Sequence, residues 1–344
     1  MQVIKFRIFL SYLVAACCAI PAMAQSVPLK DDQKAVVLFD FRMERFVNSD
    51  IAKALGLADQ LAATAGGDMD LSQATRIFGI TSLPQSVQEF EEMQMGTSPD
   101  IDFSVRIMFA SEAAATANMK KISEESEDNF SRDGRTFYRM PGGDELSQRA
   151  SASQLNETTL EVGTDRFVFL DSQRDAFTTG LQDAWSKISS IDDTLRIAID
   201  LAGAKNLVGE ALEMGRAQAD PVTQGFLELV PNLNSISMTM DMSGGDLLGL
   251  SFACKDSESA QELKEALDGI FAIAKMTGGP MIQQMSQDDP KMGEVGQQLL
   301  RSLTPRQEQN EVMVKIPKPN GLEEVILNAM QGFGLGGGGF GPDF

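Results

Sequence analysis

The sequence predicts an α+β fold made of two diverged repeats, each an antiparallel sheet (strand, hairpin, further strands) covered by helices on one face. Three observations carry this. Short runs rich in β-branched and aromatic residues, such as "AVVLFDF" (35–41) and "LRIAIDL" (195–201), alternate with stretches of helical spacing. Paired apolar runs joined by Gly, Ser, Pro and Asp read as hairpins. Landmarks also recur at a steady offset. Pro84 and Pro231 lie 147 positions apart, as do Met95 and Met242, and the helix starts "SEAA" and "SESA" differ by 146.

The elements of the first repeat follow in order. After the strand 35–41, Ser49 and Asp50 are candidate caps for a helix carrying Ile51, Ala54, Leu55 and Leu61, which ends at Gly66-Gly67. "LSQATRIFGI" (71–80) reads as a second helix before Pro84. A hairpin pairs "VQEFEEMQM" with "IDFSVRIMFA" (101–110), and a helix starts at Ser111. "RTFYRM", "TTLEV" and "DRFVFLD" read as strands, with a helix from Ser172. "SEESEDNFSRDG" (123–134) and "MSQDDPKMGE" (285–294) read as solvated loops or helix ends.

The second repeat follows the linker "SSIDD" (189–193). Strand 195–201 leads to helices "NLVGEALEMG" and "PVTQGFLELV", then to the hairpin "SISMTMDM"/"LLGLSFAC" around Ser243-Gly244-Gly245-Asp246. A helix capped by Asp256 or Ser257 carries Leu263, Leu267, Ile270, Phe271 and Ala274 on one face and stops at Gly278-Gly279. A helix around Gly293–Leu303, the strand "EVMVKI" and the helix "GLEEVILNAM" close the repeat.

The chain opens with a secretory signal: Lys5 and Arg7, an apolar stretch, and Ala22-Met23-Ala24 as cleavage site. "LVAAC" around Cys17 is an alternative, a lipobox for lipoprotein anchoring, disfavoured by its short apolar run. The predicted organisation is therefore a signal peptide (1–24), repeat 1 (25–190), repeat 2 (191–331) and a Gly-rich flexible tail (332–344). No later stretch reaches the roughly 18 to 20 apolar residues of a transmembrane span. Cleavage after Ala24 moves the net charge from −20 to −22, because only Lys5 and Arg7 are lost. Such a surface repels nucleic acid. Cys254 is then the single mature cysteine, and no intramolecular disulfide forms.

Histidine is absent. That removes Ser-His-Asp and Cys-His systems, His-ligated zinc and haem, and imidazole bases. The remaining candidates each have a plain reading. Met238, Met240 and Met242 share a strand face, matched by Met93 and Met95. Alternate residues stand ~6.5 to 7 Å apart, so the outer pair cannot share a copper ion and core packing is favoured. Met and Phe richness also suits a pocket for an apolar ligand. The acidic pairs Asp68/Asp70, Asp100/Asp102, Asp192/Asp193 and Asp288/Asp289 lack a full calcium-loop pattern and read as caps and solvated turns. Asp40 and Asp200 recur inside apolar strands, either facing outward or buried against a partner; outward is the simpler reading. Cys254 reads as a small buried hydrophobe. Gly332, Gly334 and Gly337 match GxGxxG without the flanking strand and helix, and Phe333, Phe340 and Phe344 are possible contacts for a partner. No residue is assigned as catalytic, cofactor-binding or metal-ligating, and no cofactor is expected.

With pieces such as "LRIAIDL" and "DGRTFYRM" in this order, the chain resembles exported bacterial proteins of uncharacterised function that carry duplicated α+β modules. The resemblance implies an envelope or secreted location and a non-catalytic role, and transfers no functional residue. The expected function is a non-catalytic secreted or periplasmic structural or binding protein. The alternatives are an envelope carrier or lipoprotein for an apolar ligand, and thirdly a carboxylate-dependent hydrolase. An apolar ligand or a protein is the possible partner; the sequence sets no oligomeric state.

Overall fold

Alternating β-branched and aromatic residues make Val37–Phe41 a strand, β1, and its two edges are satisfied by neighbours far apart in sequence. The computed structural model describes residues 34–54, 69–83, 101–126, 128–132, 134–140, 149–168, 176–216 and 221–332. The expected signal segment with Cys17, the first hairpin strand (87–95), and the tail beyond Gly332 lie outside the described residues.

After β1 come two short helices, α1 (Met43–Asn48) and α2 (Asp50–Ala54), then β2 (Ala74–Thr81) and β3 (Phe103–Phe109). Next are α3 (Glu112–Glu125), β4 (Asn129–Arg132), β5 (Arg135–Arg139), β6 (Ala150–Asn156), β7 (Thr159–Thr164), the single turn α4 (Asp165–Val168) and α5 (Thr179–Ile188). Then β8 (Leu195–Asp200), α6 (Lys205–Arg216), α7 (Pro221–Leu229), β9 (Leu233–Met240), β10 (Asp246–Cys254) and α8 (Ser257–Asp288) follow. The chain continues through α9 (Pro290–Ser302), β11 (Pro305–Glu308), β12 (Glu311–Pro317) and α10 (Leu322–Gly332).

These strands form one 12-stranded antiparallel sheet, ordered β11-β12-β10-β9-β8-β1-β2-β3-β7-β6-β5-β4. The expected pair of sheets is thus continuous, joined where β1 pairs with β8. Residues directly opposite in antiparallel strands share a face, which sorts the whole sheet. One face takes α3, whose Ala115, Met119 and Ile122 pack on Val105, Ile107 and Val162. The same face takes α8, whose Ala260, Leu263 and Leu267 pack on Phe252, Val312 and Val314. The other face carries α5 over its centre, with Leu181, Ala184 and Ile188 against Leu38, Ile80 and Ala198.

Several helix starts follow the capping expectation. Ser111 Oγ accepts from Ala114 N at 3.2 Å, and Asp256 caps α8 by accepting from Ser259 N at 2.8 Å. Ser49 Oγ accepts from Ala52 N at 3.1 Å.

Other expectations are corrected. Residues 71–80 are not a helix: Thr75, Ile77, Phe78, Ile80 and Thr81 lie in β2, where β1 and β3 complete the ladder on both sides. β3 pairs with this strand. Residues 165–168 of the expected strand "DRFVFLD" form α4, as the buried Asp165 turns toward Arg139 at 2.7 Å. Gly278-Gly279 does not end α8, which runs on to Asp288. α9 packs along this part of α8: a Cβ at Gly296 of α9 would stand 2.9 Å from Ile282, and one at Gly278 would be in ordinary contact with Leu300 at 3.4 Å. β4, β6 and β11 come from stretches too polar to show apolar alternation.

Candidate functional site

The face that carries α3 and α8 has an apolar strip between its two packed clusters. Three rows cross the central strands: Phe41, Leu195 and Met240; Phe39, Ile197 and Met238; Val37, Ile199 and Ile236. All nine are only half-buried. Phe39 lies across Gly79, where an added Cβ would come within 2.3 Å of its ring, so only glycine leaves room for that ring position. Met238 and Met240, expected as core, are part of this half-open floor instead. Met242 lies past the strand end and donates its N–H to Thr194.

The opposite face of these strands is chemically different. Ser235, Ser237 and Thr239 alternate with the apolar residues of β9 and are buried, and Ser237 Oγ donates to Ala184 O of α5 at 3.3 Å. Arg196 and Asp200, on β8, are 1% and 3% exposed, and Asp40 on β1 is 0% exposed. The outward-facing reading of Asp40 and Asp200 is therefore overturned; they are buried, and each has a partner.

β8 and α5 explain the arrangement. Arg196 Nη1 donates to the carbonyls of Ile188, at 3.4 Å, and Ile191, at 2.7 Å, and also to Ser189 O. A cation thus sits where the last carbonyls of α5 point. Its guanidinium lies 5.1 Å from the Trp185 ring centre, and its Nη2 donates to Asp40. Asp200, four residues along, lies at the other end of the helix: a Cβ at Gly180 in the first turn would stand 2.6 Å from its carboxylate. An anion there matches the positive end of the helix dipole. Asp200 Oδ1 also accepts from Gly203 N at 3.0 Å. Asp40 accepts in addition from Arg76 Nε at 2.6 Å.

Farther along this face, Glu161 is 1% exposed and bridges Arg106 and Arg135, each at 2.9 Å. Asp102, expected in a solvated turn, is buried and paired with Arg166. Among the other acidic pairs, Asp70 Oδ1 accepts from Ser72 N at 2.9 Å, and Asp289 caps α9 through Lys291 N and Met292 N, as the capping reading expects. Asp68 and Asp100 lie outside the described residues. Among the described residues no cluster of three or more His, Cys, Asp or Glu side chains is placed to hold a metal.

A charged cluster lies past the end of the first apolar row. Asp192 is paired with Arg42 and, at 2.7 Å, with Arg45. Arg45 also donates to Asp241 at 3.1 Å and to Ser243 Oγ at 2.7 Å. Burial, then repulsion by Arg196, lowers the Arg42 pKa, with Asp40 opposing and Arg76 and Arg45 adding to the repulsion. Burial would raise the Asp241 carboxyl, but hydrogen bonds from Ser243 and Arg45 hold it below its usual range. Spacing alone could not have found this cluster, because Arg45 and Asp241 are far apart in the chain.

Ser251 Oγ is hydrogen-bonded to Glu311, which Lys187 approaches at 3.0 Å. The hydroxyl contacts the carboxylate and not the amine, an arrangement of a cross-strand pair. Cys254 is buried, and burial, with Asp256 and Glu311 nearby, pushes its thiol up to about 11. At neutral pH the sulfur stays protonated and unreactive.

No family model and no curated protein matches the chain. Among solved structures, crystal forms IV, III and I of TP0453 align with TM-scores of 0.36, 0.38 and 0.39 at 11%, 12% and 12% identity. The alignments cover 88%, 89% and 89% of this chain and 97%, 100% and 98% of those chains.

Proposed function

We propose that this chain is an exported, non-catalytic binding protein that holds an apolar ligand against the three rows on the face of its sheet that carries α3 and α8. One observation carries the reading. Nine apolar side chains in the middle of a 12-stranded sheet stay only half-buried, with Phe39 and Phe41 packed against one cluster at the edge of the strip and Ile236 against the other. Contiguous apolar surface left accessible to water is costly, and commonly marks a binding site. Met238 and Met240 supply adaptable, polarizable contacts suited to a chain-like guest. The non-catalytic part is supported by the buried carboxylates, since Asp40, Glu161 and Asp165 each bind an arginine on the face away from the strip.

The same proposal takes the chain as two diverged copies, 25–190 and 191–331. The strand order supports it: reading outward from the central pair gives β1-β2-β3-β7-β6 on one side, extended by β5-β4, and β8-β9-β10-β12-β11 on the other. In each direction, strand, two helices, two strands and a helix follow in chain order. Export is supported by residues 1–24, with cleavage after Ala24 preferred to anchoring at Cys17.

The test is titration of the chain beginning at Gln25 with an uncharged fluorescent probe, N-phenyl-1-naphthylamine. Saturable binding is expected, with at least a tenfold loss in Ile197→Glu at an unchanged circular dichroism spectrum, since a buried charge beside an apolar guest is costly. Absence of saturable binding to the unaltered chain would overturn the proposal.

A further inference from the structure

We infer that the apolar strip is a slot for a single unbranched alkyl chain lying along β8, and that Phe39, laid over Gly79, sets the width of that slot. The inference rests on the proposed apolar site and names its ligand class and the residue that selects it.

The nine half-buried side chains are not equivalent. Phe39 and Phe41 of β1 pack toward the cluster under α3, and Ile236 of β9 toward the cluster under α8. Among the described residues, Leu195, Ile197 and Ile199 of β8, with Met238 and Met240 of β9, join none of the three packed clusters. The open floor is therefore centred on one strand. β1 and β9 flank β8 directly, and their backbones stand about 10 Å apart, two strand spacings. From Leu195 to Ile199 the floor runs about 13 Å. Those proportions suit one extended chain and not a compact ring of the same mass.

The wall on the β1 side depends on a residue of the next strand. Phe39 is the direct partner of Ile197 on β8 and of Gly79 on β2. Its ring leans toward β2, so a Cβ at Gly79 would meet Cζ at 2.3 Å and Cε1 at 2.4 Å. A ring laid over a cross-strand glycine covers backbone that no side chain protects. It also keeps the ring off Ile197. Phe41 is engaged in a similar way: its ring centre lies 5.2 Å from that of Phe46 on α1, the helix that packs against β2.

A methyl group at position 79 removes the resting place of the Phe39 ring. The atoms it strikes are the far end of a rotatable side chain, so the ladder survives and the ring turns to another staggered position. Val37 and Phe41 flank it along β1, which leaves the space over Ile197. Gly79 thus acts on the slot only through Phe39. Met238, on the far side of Ile197, is the adaptable wall, since a thioether chain adjusts to the contour of a guest. All nine lining residues are apolar, so the recognised part of the guest is its hydrocarbon.

The experiment is displacement of N-phenyl-1-naphthylamine, a flat probe, by dodecanol and by cyclododecanol, which carry the same carbon count as chain and as ring. Dodecanol is expected to displace the probe at about one-tenth the concentration that cyclododecanol requires, a discrimination that shape supplies in apolar pockets. Gly79→Ala is expected to weaken dodecanol about fivefold at an unchanged circular dichroism spectrum, the effect of losing a few methylene contacts. Phe39→Ala is expected to bring cyclododecanol to within about twofold of dodecanol by removing the wall. In Phe39→Ala/Gly79→Ala the loss caused by Gly79→Ala is expected to disappear, because the two residues act as one contact. Should Gly79→Ala fail to fold, the Phe39→Ala arm still decides. Equal displacement by chain and ring, an unchanged affinity in Gly79→Ala, or the same loss with and without the Phe39 ring would overturn the inference while leaving the apolar site standing. If the probe itself does not bind the unaltered chain, the proposed function falls, and the inference with it.

Discussion

Arg196 and Asp40 stand directly opposite each other on β8 and β1, and their side chains meet as a buried ion pair at the seam between the two halves of the sheet. The same arginine caps the carbonyl end of α5, so one guanidinium ties a helix, a linker and both central strands together.

Replacing Asp40 by Asn leaves two arginines, Arg76 and Arg196, without their shared anion inside the protein. Breaking one side of a buried pair costs on the order of 3 to 5 kcal/mol. Asp40→Asn is expected to lower the urea midpoint by a matching amount at unchanged slope. A midpoint within error of the unaltered chain would show that the pair contributes nothing net.

Gly163 on β7 is packed against backbone. An added Cβ would stand 2.4 Å from Phe103 O and 2.8 Å from Ser104 Cα, neither of which moves without disturbing the β3–β7 ladder. Gly163→Ala is expected to destabilise by about 1 to 3 kcal/mol. Gly134→Ala does not share this cause, because nothing lies within 4 Å there and its cost is the positive φ of 77°. Chemical denaturation of both variants checks the difference; crystallography of Gly163→Ala should show β3 and β7 displaced from each other.

The Asp241 carboxyl is held below its usual range, since the bonds from Ser243 and Arg45 outweigh burial. A depressed folded pKa adds stability above the unfolded value, near ~3.9, and loses it as pH falls through the folded value. The stability gap between the unaltered chain and Asp241→Asn is therefore expected to be full at pH 6 and to shrink below about pH 4. Urea midpoints across pH 3 to 6 measure it. A gap that widens toward acid pH contradicts the assignment.

For Cys254 the sign is reversed. The folded thiol, at about 11, lies above its unfolded value, so its contribution to stability is complete below pH ~8.5 and is lost as pH rises toward the folded value. A thiol reagent at pH 8 is expected to leave the folded chain beginning at Gln25 unmodified and to label one cysteine in urea. Rapid labelling without denaturant would show the site to be open.

The strands most legible in the sequence are β1, β8, β9 and β10, where β-branched and aromatic residues alternate over short runs. β2 was not legible: "LSQATRIFGI" satisfies helical spacing, and only the ladders offered by β1 and β3 make it a strand. The break foreseen at Gly278-Gly279 failed for a related reason. A glycine pair disfavours an isolated helix, but α9 packs along this stretch of α8, so closely at Gly296 that a Cβ there would stand 2.9 Å from Ile282.

The candidate site was legible only as composition, in the abundance of Met and Phe. Alternation in "LRIAIDL" puts Arg196 and Asp200 on one side of the strand, so Asp200 was expected to face water; in "AVVLFDF" Asp40 shares its side with Val36 and Leu38, and outward was only the simpler of two readings. The structure buries them, because the charged side of β8 lies under α5, where helix ends supply opposite partial charges, and because Arg196 lies 156 residues from Asp40.

What the sequence by itself determined is local: strand and helix periods, caps at Ser49, Ser111 and Asp256, an acidic surface and the absence of imidazole chemistry. Which face of the central strands is closed, which is left half-open, and where Arg42 and Arg45 meet Asp192 were decided only by tertiary structure. The physical reason is that a period states how residues alternate, whereas burial and charge pairing depend on which distant segment covers each face.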